Sequence, residues 1–202
     1  MITHKIKVFF SLLLFLFIVA CSNTNGDMDL VKSDESAMQE IAYLNVFSLS
    51  IPNYFIEMDD INAQAAIQYG YIEPKDSLES KQESDEFYLT VIPYAKTAFA
   101  ETMVDSGKVD LSALNLRTAI NLALILEDFS AEKENPVTEM VNGIPTIKNS
   151  FLGRLGSYLV YYQMAVYETE DTFYQLLTWC MQNDQGKHKE EMNMMIASFE
   201  IK

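Results

Sequence analysis

Two consecutive runs near the C-terminus are apolar on both of their faces, and that constrains this chain more than any other feature. Within residues 157–167, alternation sets Tyr158, Val160, Tyr162, Met164 and Val166 on one face and Leu159, Tyr161, Gln163, Ala165 and Tyr167 on the other. The turn Glu168-Thr169-Glu170-Asp171 leads into a second run, residues 172–181, that ends Leu176-Leu177-Thr178-Trp179-Cys180-Met181. A strand with no polar face belongs inside a sheet that is covered on both sides. Two covering layers are therefore required.

The sequence offers a helix for each. Asp110 can cap a helix running to about residue 128, in which Leu111, Leu114, Leu122, Ile125, Leu126 and Phe129 recur near every 3.6 residues. Residues 187–199 repeat the pattern, with Met192, Met195, Ile196 and Phe199 at i, i+3, i+4 and i+7. Residues 95–104 suit a shorter helix or part of the same crossover. Strands are expected from Val46-Phe47-Ser48-Leu49-Ser50-Ile51, from residues 55–61 and 65–72, and from Phe87-Tyr88-Leu89-Thr90-Val91-Ile92. Residues 73–86, with Pro74 and a run of charges, read as a solvated loop. Val137–Val141, Asn142-Gly143 and residues 144–152 spell a hairpin, because Asn and Gly tolerate the positive φ of a tight turn.

The expected architecture is α/β in the α+β sense, an α/β/α sandwich around a central antiparallel sheet. Phe47-Ser48-Leu49-Ser50-Ile51-Pro52, Val141-Asn142-Gly143-Ile144-Pro145, Phe173-Tyr174-Gln175-Leu176 and the closing Ile196-Ala197-Ser198-Phe199-Glu200 occur in an order that resembles the Mog1/PsbP-like fold, in particular the DcrB-like (DUF1795) proteins. The resemblance implies a binding or assembly factor and brings no set of catalytic residues.

The N-terminus supplies an address. Lys5 and Lys7 precede an uncharged run from Val8 to Val19, too short to span a bilayer comfortably, and Ile18-Val19-Ala20-Cys21 resembles a bacterial lipobox. The expectation is a signal peptide over residues 1–20, lipidation at Cys21, a polar flexible tether over 21–45 and one domain over 46–202. The resemblance to bacterial lipoproteins implies more than one acyl chain, enough for stable anchoring. The body then sits in the cell envelope, at the periplasmic face of either membrane or at the cell surface. Without residues 1–20 the chain keeps 12 basic residues against 29 acidic ones, a net charge of −17. Such a body repels nucleic acid, which is not expected as a partner.

The chemical inventory is sparse. With Cys21 acylated, Cys180 is the one remaining thiol, so no intramolecular disulfide can form; it reads as a small buried hydrophobe. One histidine, His188, remains, and Lys187-His188-Lys189-Glu190-Glu191 reads as a solvated charged patch. Zinc lacks ligands, and Asp59-Asp60 and Asp27-Met28-Asp29 lack the spacing of a calcium loop. Gly153-Arg154-Leu155-Gly156 lacks the third glycine and the lysine of a nucleotide loop and reads as a tight turn. No catalytic residue, metal or cofactor is expected. The candidate binding surface consists of Tyr158, Tyr161, Tyr162 and Met194, the last lying off the apolar stripe of its helix. The expected function is a lipid-anchored, non-enzymatic adaptor for an envelope protein, the alternatives being a chaperone for hydrophobic segments or a small-ligand carrier.

Overall fold

The computed structural model describes residues 37–73, 85–102, 108–132 and 135–202. Signal peptide, Cys21, the Asp27/Asp29 pair and most of the expected tether lie outside the described residues. The elements run β1 (Met38–Tyr43), β2 (Phe47–Pro52), β3 (Ile56–Glu57), β4 (Ile67–Ile72), β5 (Glu86–Ala95), α1 (Lys96–Glu101), α2 (Leu111–Ile125), β6 (Glu127–Ala131), β7 (Val137–Val141), β8 (Ile144–Leu155), β9 (Tyr158–Glu168), β10 (Thr172–Met181), a 3-10 turn (Gln182–Asp184), α3 (Gln185–Ser198) and β11 (Glu200–Ile201).

The two runs that are apolar on both faces, β9 and β10, sit at the middle of an antiparallel sheet ordered β3-β4-β5-β10-β9-β8-β6, with β7 also paired to β8. Their two faces fill separate cores. Tyr161, Ala165 and Tyr167 join Phe47, Ile51, Phe87, Met192, Met195 and Phe199 on one side. Val160, Tyr162, Met164 and Val166 join Phe99, Leu111, Leu114 and Leu122 on the other. Helix α3 covers the first side and α1 with α2 the second, so the α/β/α arrangement holds. The α3 layer has an addition: β2 leaves the main sheet and forms a three-stranded sheet, β1-β2-β11.

Local chemistry sets the boundaries. The Asp110 side chain accepts a hydrogen bond from the Ala113 backbone N–H at 3.0 Å, capping α2 as its sequence position implies. Asn142 and Gly143 both take positive φ, 49° and 80°, and close the hairpin with Val141 opposite Ile144. Asn142 does a second job. Its side-chain amide donates to the carbonyls of Ala197 (3.0 Å) and Phe199 (2.9 Å), satisfying acceptors that the end of α3 leaves open.

Four expectations need correction. The domain opens before Val46: Met38–Tyr43, placed in the tether by composition, pairs along the whole of β2 and packs Met38, Ile41 and Tyr43 against the core. Helix α2 stops at Ile125 because Leu126 turns to extended backbone and enters the core; Glu127–Ala131 then pairs with β8 through an irregularity that contains Asp128 (φ 51°), and Phe129 stacks on Phe151 at 5.3 Å. Ile125 is consequently exposed. The strands expected at 55–61 and 65–72 contract to Ile56–Glu57 and Ile67–Ile72. Finally, Gly153 lies within β8, where a Cβ would come within 2.7 Å of Leu126; only Gly156 (φ 61°) makes the turn.

Candidate functional site

His188 overturns its sequence reading most plainly. It is fully buried, stacked on Phe87 at 4.3 Å between ring centres. On α3, His188 and Glu191 share a face at i, i+3, and Met192 and Met195 continue it inward. The residue just before β5, Asp85, arrives from the other side. Nδ1 of His188 lies 2.9 Å from Oε2 of Glu191, and Nε2 lies 2.8 Å from Oδ1 of Asp85. Lys187 donates to Oδ2 of Asp85 at 2.6 Å, and the Tyr54 hydroxyl donates to Glu191 at 2.7 Å.

Both ring nitrogens face carboxylate oxygens, so both need a proton if neither contact is to become acceptor against acceptor. Burial alone would push the imidazole down; hydrogen bonds and charge from Asp85 and Glu191 outweigh it and hold His188 above its ordinary value. For Asp85 burial acts upward, and His188 and Lys187 together hold it below the usual carboxylate range. Tyr54 is pushed far up by burial and by Glu191, so its hydroxyl stays a donor. Two buried carboxylates, an imidazolium and an ammonium sum to zero. This arrangement ties α3 to the sheet; with no face open to solvent, the imidazole is positioned to hold a proton rather than pass one to a substrate.

Nearby Cys180 is buried, as its sequence context suggests, and its thiol is pushed up to about 12 by burial, with Asp184 and Asp85 adding to the effect. A thiol so disposed is a poor nucleophile. Among the described residues, no group of three or more His, Cys, Asp and Glu side chains is placed to hold a metal ion.

The four residues of the expected binding surface do not come together. Tyr161 is fully buried on the α3 side, where its hydroxyl donates to Glu132 at 3.1 Å and accepts from Gln163 at 3.1 Å. Tyr162, one residue on, points to the α2 side and stacks near Trp179. Met194 is half-buried on α3, and Tyr158 is half-exposed at the tip of the β8–β9 hairpin.

A different surface is open. Helix α2, LSALNLRTAINLALI, buries Leu111, Leu114, Asn115, Thr118 and Leu122, yet its opposite face carries Leu116 (60% exposed), Ile120 (50%) and Leu124 (78%) at i, i+4 and i+8. Its one charged residue, Arg117, reaches to α1, where it donates to the Thr102 hydroxyl and lies 5.3 Å over Phe99. By register Glu127 pairs with Arg154, Arg154 with Leu159 and Leu155 with Tyr158, so Tyr158 lies at the end of the sheet where α2 finishes. Sequence reasoning assigned the helix's inward stripe and left its other face unread. The available signal was fifteen residues without a single acid in a chain that has 29.

No protein-family model matches the chain, and no curated protein matches it in sequence. Solved structures match in fold. LpqN of Mycobacterium tuberculosis, involved in cell envelope biogenesis, superposes with a TM-score of 0.53 at 10% identity, covering 81% of this chain and 91% of LpqN. The PsbP protein of Synechocystis, CyanoP, gives 0.51 at 17% identity over 88% of this chain and 98% of its own. The Ran-binding protein Mog1p of Saccharomyces cerevisiae gives 0.51 at 12% identity over 82% and 95%. The fold is Mog1/PsbP-like.

Proposed function

We propose that this chain is a lipid-anchored, non-enzymatic binding module of the bacterial cell envelope, of DcrB-like type, held at the membrane through Cys21 and engaging an envelope protein through an open face of its sandwich. The exposed apolar stripe of α2 carries the reading, since an acid-free, leucine-rich outer face on an acidic body is what a contact surface requires and solubility does not. The sealed surroundings of His188 and the raised thiol of Cys180 agree with a role in binding. The likeness to LpqN, a protein involved in envelope biogenesis, supports the location. Among the described residues no helix is long and apolar enough to cross a membrane.

In-cell crosslinking of the tagged chain, capture from detergent-solubilised membranes and mass spectrometry test this, with Cys21→Ser as the unanchored control. A discrete envelope protein, depleted in the control, is expected. Recovery of background proteins alone from both would contradict it.

A further inference from the structure

We infer that α2 is a strap: it lifts from the sheet as one unit while the sheet and α3 stay folded, and so opens an apolar core that the closed molecule hides. Neither the lipid anchor nor a partner enters into this, so it and the binding-module reading can fail separately.

The two helices are fastened differently. Helix α3 hydrogen-bonds to six residues outside itself: Ser50 at 2.8 Å, Tyr54 at 2.7 Å, Asp85, Glu132 at 2.7 Å, Asn142, and Tyr167 at 2.7 Å. Among the described residues, two side-chain hydrogen bonds leave α2 for other elements. Thr118 accepts from Nε2 of Gln175 at 2.8 Å, the single one to the sheet, and Arg117 donates to Thr102 at the C-terminal end of α1. Packing follows the same division. Helix α3 turns His188, Met192, Met195 and Ile196 inward and leads into Phe199, while the inner row of α2 sets polar Asn115 and Thr118 among Leu111, Leu114 and Leu122.

Asn115 is the weak point. It is 7% exposed, and its Oδ1 is the one buried side-chain nitrogen or oxygen among the described residues that has no hydrogen-bond partner. A buried acceptor left unpaired counts against the closed state, and water satisfies it once the helix lifts. Leu116, Ile120, Leu124 and Ile125 face water while α2 is closed, so they add nothing to its closure. The hinge falls just after Ile125, because Leu126 is buried against Gly153 and Glu127–Ala131 stays paired with β8. Lifting opens the core that holds Ile147, Phe151, Val160, Tyr162, Met164 and Val166. Elements that expose binding surfaces come from this low-stability end of a fold.

Native-state hydrogen exchange tests this on the chain from residue 21 onward with Cys21→Ser, which contains every described residue. A helix of fifteen residues off its support is marginal in water, so lifting exposes the amides of α2. Corrected for intrinsic rates, they are expected to exchange at least about tenfold faster than those of α3, and with a weaker dependence on urea, since lifting exposes less surface than global unfolding. Asn115→Leu keeps the branching of the side chain and removes the unpaired acceptor; it should slow exchange in α2 at least about threefold and leave α3 unchanged. Thr118→Val, which cuts the bond to Gln175, should speed α2 and again leave α3 unchanged. Both variants are checked for native circular dichroism. Equal exchange of α2 and α3 with the same urea dependence overturns the inference, because α2 then opens only with the whole fold. So does a change in α3 as large as that in α2 in either folded variant, which makes both helices one cooperative unit. The unsubstituted chain decides the first of these outcomes even where a variant fails to fold. A strap that lifts with no protein captured in cells keeps this inference and removes the binding module; a captured protein with α2 as protected as α3 does the reverse.

Discussion

Helices α2 and α3 cover opposite faces of one sheet, and their compositions run against their burial. Helix α3, QGKHKEEMNMMIAS, opens on five consecutive charged or titratable residues after Gly186, yet it is the more firmly tied. His188 and Glu191 go inward with Met192, Met195 and Ile196; Lys187 reaches Asp85 and Lys189 reaches Glu132 at 2.7 Å. Helix α2 has one charge and leaves four large apolar side chains, Leu116, Ile120, Leu124 and Ile125, in water. The difference teaches that a helix's polarity does not tell which of its faces is settled. A charged face is settled when complementary groups meet it, and an apolar face stays unsettled until something covers it.

The contrast breaks most visibly at His188. His188→Ala leaves Asp85 and Glu191 buried without the cation between them and removes the ring stacked on Phe87. A loss of about 3–5 kcal/mol is expected in urea unfolding. An unchanged midpoint would mean that the cluster contributes nothing to stability.

The next largest effect is on pH dependence. His188 is raised on folding, so its contribution is complete below the ordinary histidine value of about 6.5 and fades as pH climbs through the folded value. Asp85 is lowered, so its contribution is present above about 3.9 and fades as pH falls. Stability should peak in mildly acidic buffer and decline on the alkaline side by at most about 1.4 kcal/mol per pH unit. Unfolding curves across pH should show that alkaline decline in the native chain and lose it in His188→Gln.

Asn142→Ala comes third. It removes the two hydrogen bonds to the end of α3 and places alanine at φ 49°, together expected to cost about 1–3 kcal/mol. Asn142→Gly keeps the backbone freedom and loses only the bonds, so its smaller cost in the same unfolding assay separates the two contributions.

The smallest stability effect belongs to the opposite helix. Leu124→Asp, on a side chain 78% exposed, should change unfolding by no more than about 0.5 kcal/mol while abolishing partner capture. A large destabilisation there would show that the outer face of α2 is part of the fold after all.

Much of the fold is legible because local rules and tertiary demands agree. The two faces of β9, the Asp110 cap, the Asn142-Gly143 turn and the Met192/Met195/Ile196/Phe199 stripe each follow from spacing alone. What escaped depends on partners remote in sequence. His188 looks solvated until Asp85, 103 residues earlier, arrives beside it. Met38–Tyr43 carries Gln39 and Glu40 and looks like tether until β2 offers an edge. Tyr161 and Tyr162 were paired by adjacency, although alternation already sent them to opposite cores.

The most direct test of the division between the two helices is site-specific photo-crosslinking in cells, with the reactive group placed at Ile120 on α2 and, separately, at Met194 on α3. A discrete protein adduct from Ile120 and none from Met194 is predicted. An adduct from Met194 with none from Ile120 would contradict the account, making the α3 side the working surface and the stripe on α2 merely tolerated.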